Sequence, residues 1–185
     1  MKTIAIHNHI EKEYDLARQH VGKTNADSVT TRIKVYIWIM ITGLFISGVT
    51  AFPIETELNW LMSQAGNFNP TMATWLYKVY NAVHATTTAY PFLAYGTDWL
   101  AFAHVMLAVL FVGPLRNPLR NIWVIEFGII ACVAIVPLAF IAGPIRGIPI
   151  FWRLIDCSFG LFGIIPLYLC HRDIKLLLKL TPATY

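Results

Sequence analysis

Two arginines and an aspartate lie close together in a chain that is otherwise strongly apolar. Arg146, Arg153 and Asp156 fall within the stretch 143–156, between two long apolar runs. A charged side chain at the centre of a membrane-spanning helix costs roughly 2.5 to 3.5 kcal/mol, so such groups usually face protein or a water-filled cavity and pair with one another. Arg153 and Asp156 are three residues apart, on one face of a helix. We therefore expect these two side chains to pair at the centre of a polar site.

Further titratable side chains are expected at a similar depth. With a rise of 1.5 Å per residue, His104 lies about 9 Å below Asp98 along one span. The predicted site gathers six polar residues and two aromatic ones: His84, Asp98, His104, Arg146, Arg153, Asp156, Trp99 and Trp152. This pattern predicts an outward-facing pocket that binds a small polar or amphipathic ligand. The arginines would contact its anionic group and the aromatic rings its apolar body.

The same residues are compatible with two other chemistries. His84 and His104 could ligate the iron of a b-type haem, and the sequence offers no cluster that predicts any other metal site. A membrane-embedded enzyme would need a general acid or base, for which the outer candidates are Asp156, Asp98, His104 and His84. Beside Arg153, Asp156 would then serve as a base or a counter-ion.

A third hypothesis needs no site. Arg146 and Arg153 would extend to lipid headgroups, and the chain would be a non-catalytic subunit or assembly partner of a larger membrane complex, or a homo-oligomer. Its small size and the lack of a nucleophile–base motif favour this alternative. Co-purification with partner subunits would distinguish it from the ligand-binding hypothesis.

Composition excludes several classes of protein. The chain is 57% hydrophobic and 13% charged, whereas a typical soluble domain is about 25% charged, so an integral membrane protein is predicted. The 14 Lys and Arg residues lie in short flanks of apolar runs, which argues against nucleic-acid binding. Cys132, Cys157 and Cys170 lie inside apolar runs without a Cys-x-x-Cys spacing, which argues against disulfides and structural zinc.

The expected fold is all-α, with one membrane domain over 33–172. Twenty uncharged residues extend about 30 Å as a helix, the thickness of the hydrocarbon core. By this measure the spans are 35–54, 99–115, 121–145 and 149–170. Asn69-Pro70 predicts the start of an amphipathic or re-entrant helix over 70–84 in the first outer connection. A polar, amphipathic arm at 1–32 and a tail at 173–185 flank the domain.

Basic residues predict the orientation in the membrane. In this arrangement eleven of the 14 Lys and Arg residues flank one side, so both termini are expected in the cytoplasm. Glu126 lies near the inner end of the third span and would pair with an inner-facing polar group, for which Arg116 and Arg120 are candidates. The recurring Gly-Pro-x-Arg at 113–116 and 143–146 is interpreted as a helix end, with each glycine terminating a helix.

Overall fold

The computed structural model describes the backbone of residues 2–180 and the side chains of residues 24–180. No β-strand occurs in this part of the chain, which confirms the all-α prediction. Seven α-helices follow in order: α1 (Lys2–Ala51), α2 (Ile54–Ser63), α3 (Pro70–Ala89), α4 (Tyr95–Leu110), α5 (Val112–Arg116), α6 (Ile122–Ile145) and α7 (Ile150–Leu180). Short 3₁₀ turns at Ala65–Asn67 and Pro91–Leu93 flank α3.

Four segments have the length and composition to cross a membrane, as predicted. They are Thr24–Ala51, Pro91–Arg116, Ile122–Ile145 and Ile150–Leu180, with 28, 26, 24 and 31 residues. Large apolar side chains point outward along them, including Ile130, Leu138 and Ile141 on α6, each about two-thirds exposed. Contiguous exposed apolar surface of this kind is compatible with contact to lipid.

The chain divides into two compact units. One, called here the hairpin unit, comprises Met1–Met40 and Phe111–Tyr185, and the other, the connection unit, comprises Ile41–Leu110. Within the connection unit α2 packs on α3, with Leu58 and Leu76 buried. The first and fourth helices approach closely, since a Cβ added at Gly48 would lie 2.8 Å from the Ala101 carbonyl oxygen.

The first and last helices extend beyond the predicted boundaries. The backbone is one helix from Lys2 to Ala51, with no break at residue 32, because this stretch contains no proline. The expected amphipathic character of the arm falls mostly on side chains outside the described residues. At the other end α7 continues to Leu180, past the predicted end of the last span at 170 and into the predicted tail at 173–185, where charges begin. Charge alone does not end a helix.

The connection between α1 and α4, predicted as the first outer connection, contains more helix than predicted. The predicted 70–84 helix is present and longer, as α3, and it begins as expected: the Asn69 side-chain oxygen accepts a hydrogen bond from the Met72 amide at 2.9 Å. The preceding α2 was not predicted. Its ten residues include Glu55, Glu57 and Asn59, and this polar content conceals the helix from a search for apolar segments.

The α6–α7 hairpin defines the hairpin unit. Its turn is a Schellman motif, in which the Gly147 amide donates to the Pro144 carbonyl and the Ile148 amide to the Gly143 carbonyl. Gly147 has a φ of +67°, so the residue that ends α6 is Gly147. The prediction that Gly143 ends the helix is wrong, because Gly143 lies inside α6 and contacts α7.

Within the hairpin unit, buried residues at helical spacing hold α1 against α6 and α7. Val29, Ile33 and Ile37 are four residues apart on α1, and all three are almost fully buried. Besides three glycines, the buried residues on α6 and α7 are Val124, Ile125, Leu167, Cys170, Asp173, Ile174 and Leu177. All are apolar or weakly polar except Asp173, a carboxylate that has no accessible surface. This exception locates the candidate site.

Candidate functional site

Two arginines neutralise the buried carboxylate of Asp173. Arg32 on α1 donates from Nε to Oδ2 at 2.8 Å, and Arg172 donates from Nε and Nη2 to Oδ1, both at 3.2 Å. The Asp173 side chain is 1% exposed, whereas those of Arg32 and Arg172 are 47% and 57% exposed. A buried carboxylate is tolerated only when it is paired and hydrogen-bonded. The two arginines supply that pairing from the surface.

Excess positive charge surrounds Asp173 and its two partners, Arg32 and Arg172, which together we call the Asp173 lock. A cavity of about 570 Å³ opens beside it, and we call it the basic pocket; it is lined by Arg32, Tyr168, His171, Arg172, Asp173, Lys175, Leu176 and Lys179. Four of these side chains are cationic at neutral pH and one is anionic. Its volume lies within the range of about 300 to 1,000 Å³ typical of small-molecule sites.

Two of the cations in the basic pocket are unengaged. Lys175 and Lys179 are exposed, and neither forms a hydrogen bond or ion pair with any side chain between residues 24 and 180. Arg32 contributes only Nε to Asp173, so its two terminal amino groups face no described acceptor. The arrangement therefore offers several donors to an anion. The Asp173 carboxylate carries one negative charge and is already paired with two arginines, so it cannot neutralise the remaining positive charge of the pocket.

A second polar pair borders the pocket. His171 Nε2 lies 3.1 Å from Glu126 Oε1, joining α7 to α6, and the His171 side chain is only 19% exposed. The prediction that Glu126 pairs with Arg116 or Arg120 is wrong. Arg116 is the last residue of α5 and Arg120 lies in the turn before α6, whereas Glu126 faces across to α7. This pair fixes the position of His171 at the edge of the pocket.

The basic pocket was not among the predicted sites, although the sequence contains a sign of it. Arg172, Lys175 and Lys179 were interpreted only as orientation signals. Together with Tyr168 they recur at intervals of three or four residues, which places them on one face of a helix. Since α7 extends to Leu180, that face is continuous. The long-range partner, Arg32, carries no comparable sign in the sequence.

The residues of the predicted outer site divide between the two units. Arg146, Trp152, Arg153 and Asp156 belong to the hairpin unit, whereas His84, Asp98, Trp99 and His104 belong to the connection unit. The outward-facing pocket that would join the two groups stays a prediction.

The Arg153 side chain is hydrogen-bonded to the turn between α6 and α7. Its Nε donates to the Ile148 carbonyl at 3.0 Å, and its guanidinium lies 5.9 Å from the centre of the Phe140 ring. Its aliphatic stem occupies the space beside Gly143, where an added Cβ would overlap Cδ. No ion pair joins Arg153 to Asp156 among the described residues, so the expected pairing is wrong. The backbone carbonyl lies within reach of Nε, and the guanidinium turns toward α6.

We expect Arg153→Met to lower the stability of the hairpin by about 1 to 3 kcal/mol, because the Ile148 carbonyl loses a charged donor. Arg146→Met is the matched control, since Arg146 is exposed at the end of α6. The stabilities of the Arg153→Met and Arg146→Met variants are compared by their apparent melting temperatures in detergent. The losses of stability caused by Asp156→Asn and by Arg153→Met should be additive within about 0.5 kcal/mol in the double variant. A coupling energy above about 1 kcal/mol would show that the two side chains do interact as predicted.

The remaining hairpin-unit members of the predicted site lie near its turn. Arg146 is the exposed C-cap residue of α6. Trp152 is half-buried, with its ring in an edge contact with Phe151 at 6.4 Å. Asp156 is half-buried one turn further along α7.

In the connection unit the two histidines have defined partners. His84 Nδ1 lies 2.5 Å from Glu55 Oε1, which joins α3 to α2, and its ring stacks on Tyr80. His104 donates from Nδ1 to the Leu100 carbonyl at 2.8 Å, because a carbonyl oxygen only accepts. Both Nδ1 atoms are thus engaged, so the haem hypothesis requires the two Nε2 atoms as iron ligands. That hypothesis stays a prediction.

Asp98 and Trp99 occupy the first turn of α4. Asp98 is half-buried, and Trp99 is 56% exposed, with edge contacts to Tyr95 and Phe102. Aromatic side chains clustered in this way are typical of a membrane–water interface.

Comparison with known proteins gives no match: no protein-family model fits the chain, and no curated protein or solved structure is significantly similar to it.

Proposed function

We propose that this chain is a multi-pass membrane protein that binds a ligand through an anionic phosphate group in the basic pocket. The observation that carries the proposal is the imbalance of charge there: four cationic side chains surround one carboxylate, which is already paired twice. Guanidinium and ammonium groups recognise phosphate through charge-assisted hydrogen bonds. A phosphate offers several acceptor oxygens to donors that approach from α1 and α7.

The orientation follows from the same charges. The basic pocket lies at the end of α7 where Arg172, Lys175 and Lys179 are concentrated, and basic residues favour the cytoplasmic side. The pocket would therefore face the cytoplasm, and the connection between α1 and α4 would lie outside. This topology agrees with the exposed aromatic residues of that connection, which include Trp60, Tyr77 and Tyr90.

We expect cysteines introduced at Gly66 and Gly96 to react with a membrane-impermeant maleimide added to intact cells, and a cysteine at Arg120 to remain unreacted. The three native cysteines are first replaced by alanine. Both glycines have open space around the position of a Cβ, so the substitutions are tolerated. Labelling at Arg120 after permeabilisation only is the control. Equal labelling of all three positions in intact cells contradicts the topology.

Phosphate-bearing probes should raise the melting temperature of the purified protein in detergent, since a ligand that binds only the folded state stabilises it. The two probes are sodium phosphate and phosphatidylglycerol in mixed micelles. Lys175→Gln/Lys179→Gln should weaken binding roughly tenfold to thirtyfold, at about 1 kcal/mol per basic residue. These substitutions leave the Asp173 pairing intact.

A variant with the same change of charge provides the control. Lys34 and Arg120 are exposed and do not line the pocket, so Lys34→Gln/Arg120→Gln should bind like the original protein. Stabilisation by either probe that depends on Lys175 and Lys179 supports the proposal. If neither probe stabilises the protein, or if both double variants respond equally, anion binding at this pocket is refuted.

The outward-facing pocket and a role as a subunit of a larger complex remain separate proposals. Both start from the sequence, and neither conflicts with an anion site at the other end of α7. Purification in mild detergent tests the second of them: a lone monomer argues against a stable partner.

A further inference from the structure

We infer that the occupant of the basic pocket is an anionic phospholipid taken from the surrounding bilayer, with its phosphate among the cations and its acyl chains along α7. This inference rests on the proposed anion binding and adds the class of ligand. The carrying observation is the order of side chains along one exposed face of α7, which changes from apolar to aromatic to basic.

The face is defined by residues three or four apart: Leu161, Ile165, Tyr168, Arg172, Lys175 and Lys179. Leu161 and Ile165 are 63% and 53% exposed, and Tyr168 is 61% exposed. Tyr168 and Leu176 also line the basic pocket, so apolar surface continues into it. A soluble anion would make no use of this continuity, whereas a molecule with a charged head and apolar chains would use all of it.

The dimensions agree with a lipid. Arg172 lies seven positions after Ile165, which is about 10 Å along a helix. Tyrosine is enriched where the hydrocarbon meets the headgroups, and Tyr168 stands between the apolar and the basic parts of the face. A phosphate at Arg172 therefore places the first part of an acyl chain beside Ile165. Basic pockets between helices at the cytoplasmic side are known sites for anionic headgroups.

The ion pairs with Asp173 hold the guanidinium groups of Arg32 and Arg172 in place before a ligand binds. Arg172 is held through Nε and Nη2, which leaves Nη1, and Arg32 is held through Nε, which leaves both terminal amino groups. Holding the arginines before binding lowers the conformational entropy lost when the ligand arrives. Lys175 and Lys179, which carry no such restraint, would close on the phosphate from the aqueous side.

Native mass spectrometry of the protein released from micelles provides the test. The probes are dioleoyl phosphatidylglycerol and dioleoyl phosphatidylcholine, with sodium phosphate measured by thermal shift in parallel. Retention of phosphatidylglycerol should exceed that of phosphatidylcholine at least tenfold, and Lys175→Gln/Lys179→Gln should abolish the difference. Lys34→Gln/Arg120→Gln should preserve it.

The other outcomes separate the two proposals. Equal retention of the two lipids overturns the lipid inference. Stabilisation by phosphate that depends on Lys175 and Lys179, without retention of phosphatidylglycerol, also overturns it but preserves anion binding. If neither lipid nor phosphate depends on these lysines, both proposals fail.

Discussion

Replacing Arg32 and Arg172 together by methionine is expected to destabilise the protein more than any other pair of surface substitutions. Asp173 has no accessible surface, so without the two arginines its carboxylate is buried with no opposite charge. Breaking a buried ion pair by removing the partner costs about 3 to 5 kcal/mol. Methionine keeps most of the apolar stem, so the loss reports on charge more than on packing.

The single variants should be much milder. Each arginine holds a different oxygen of Asp173, so Arg32→Met leaves Oδ1 engaged and Arg172→Met leaves Oδ2 engaged. We expect losses of about 1 to 2 kcal/mol for each. The double variant should therefore lose more than the sum of the two. Adding Asp173→Asn to the double variant should restore part of the stability, because no buried charge then remains.

Apparent melting temperatures in one detergent allow these variants to be compared. Lys34→Met is the control, since Lys34 is an exposed cation on the same helix with no contact to the lock. If the double variant has the same melting temperature as the single variants, the burial of Asp173 does not require the charges of the two arginines. A triple variant no more stable than the double would show that the loss came from packing.

The helical class and the four long apolar segments were the features most readily predicted from the sequence. All four apolar segments long enough to cross a membrane were identified, and α6 matches its prediction within one residue because a charged, Pro-containing turn precedes it and a glycine-rich turn follows. The start of α3 was identified through Asn69. By contrast, α2 and the last ten residues of α7 were missed, since charged and polar side chains interrupt the apolar residues in both.

The candidate site was harder to predict because its pairs are distant in sequence. Arg32 and Asp173 are 141 residues apart, and nothing local to either residue indicates the other. Asp173 follows an arginine in a charged segment, which favours a solvated carboxylate over a buried one. Only the packing of α1 against the hairpin reveals its burial.

One missed pair was nevertheless accessible to reasoning from the sequence. In an antiparallel hairpin, residues at equal distances from the turn lie at the same height, and Glu126 and His171 are nearly equidistant from Ile148. Gly143 with Arg153 and Gly128 with Leu167 follow the same rule. This rule predicts that Glu126 faces His171 across the hairpin. For Arg153 the error was different. A side-chain partner, Asp156, was expected from the local spacing, whereas the observed partner is the backbone carbonyl of Ile148, five residues away.

The close approach of α6 and α7 leads to the second large effect, which is expected for Gly160→Ala. A Cβ on Gly160 would lie 2.7 Å from the backbone carbonyl oxygen of Cys132, and a backbone atom cannot move without shifting α6. Overpacking of this kind costs about 1 to 3 kcal/mol. The helix propensity of alanine, about 1 kcal/mol better than that of glycine, recovers only part of it. We therefore expect a clear fall in melting temperature.

Two other glycines provide controls for this argument. Gly43 has no neighbour within 4 Å of an added Cβ, so Gly43→Ala should be neutral or slightly stabilising. At Gly163 the added Cβ would lie 2.9 Å from the Cys132 Sγ, which is the end of a side chain. Adding Cys132→Ala should therefore rescue Gly163→Ala but leave Gly160→Ala as destabilised as before, because the Cys132 carbonyl remains. Rescue of both variants would show that the side chain, and not the backbone, limits the approach of α7 to α6.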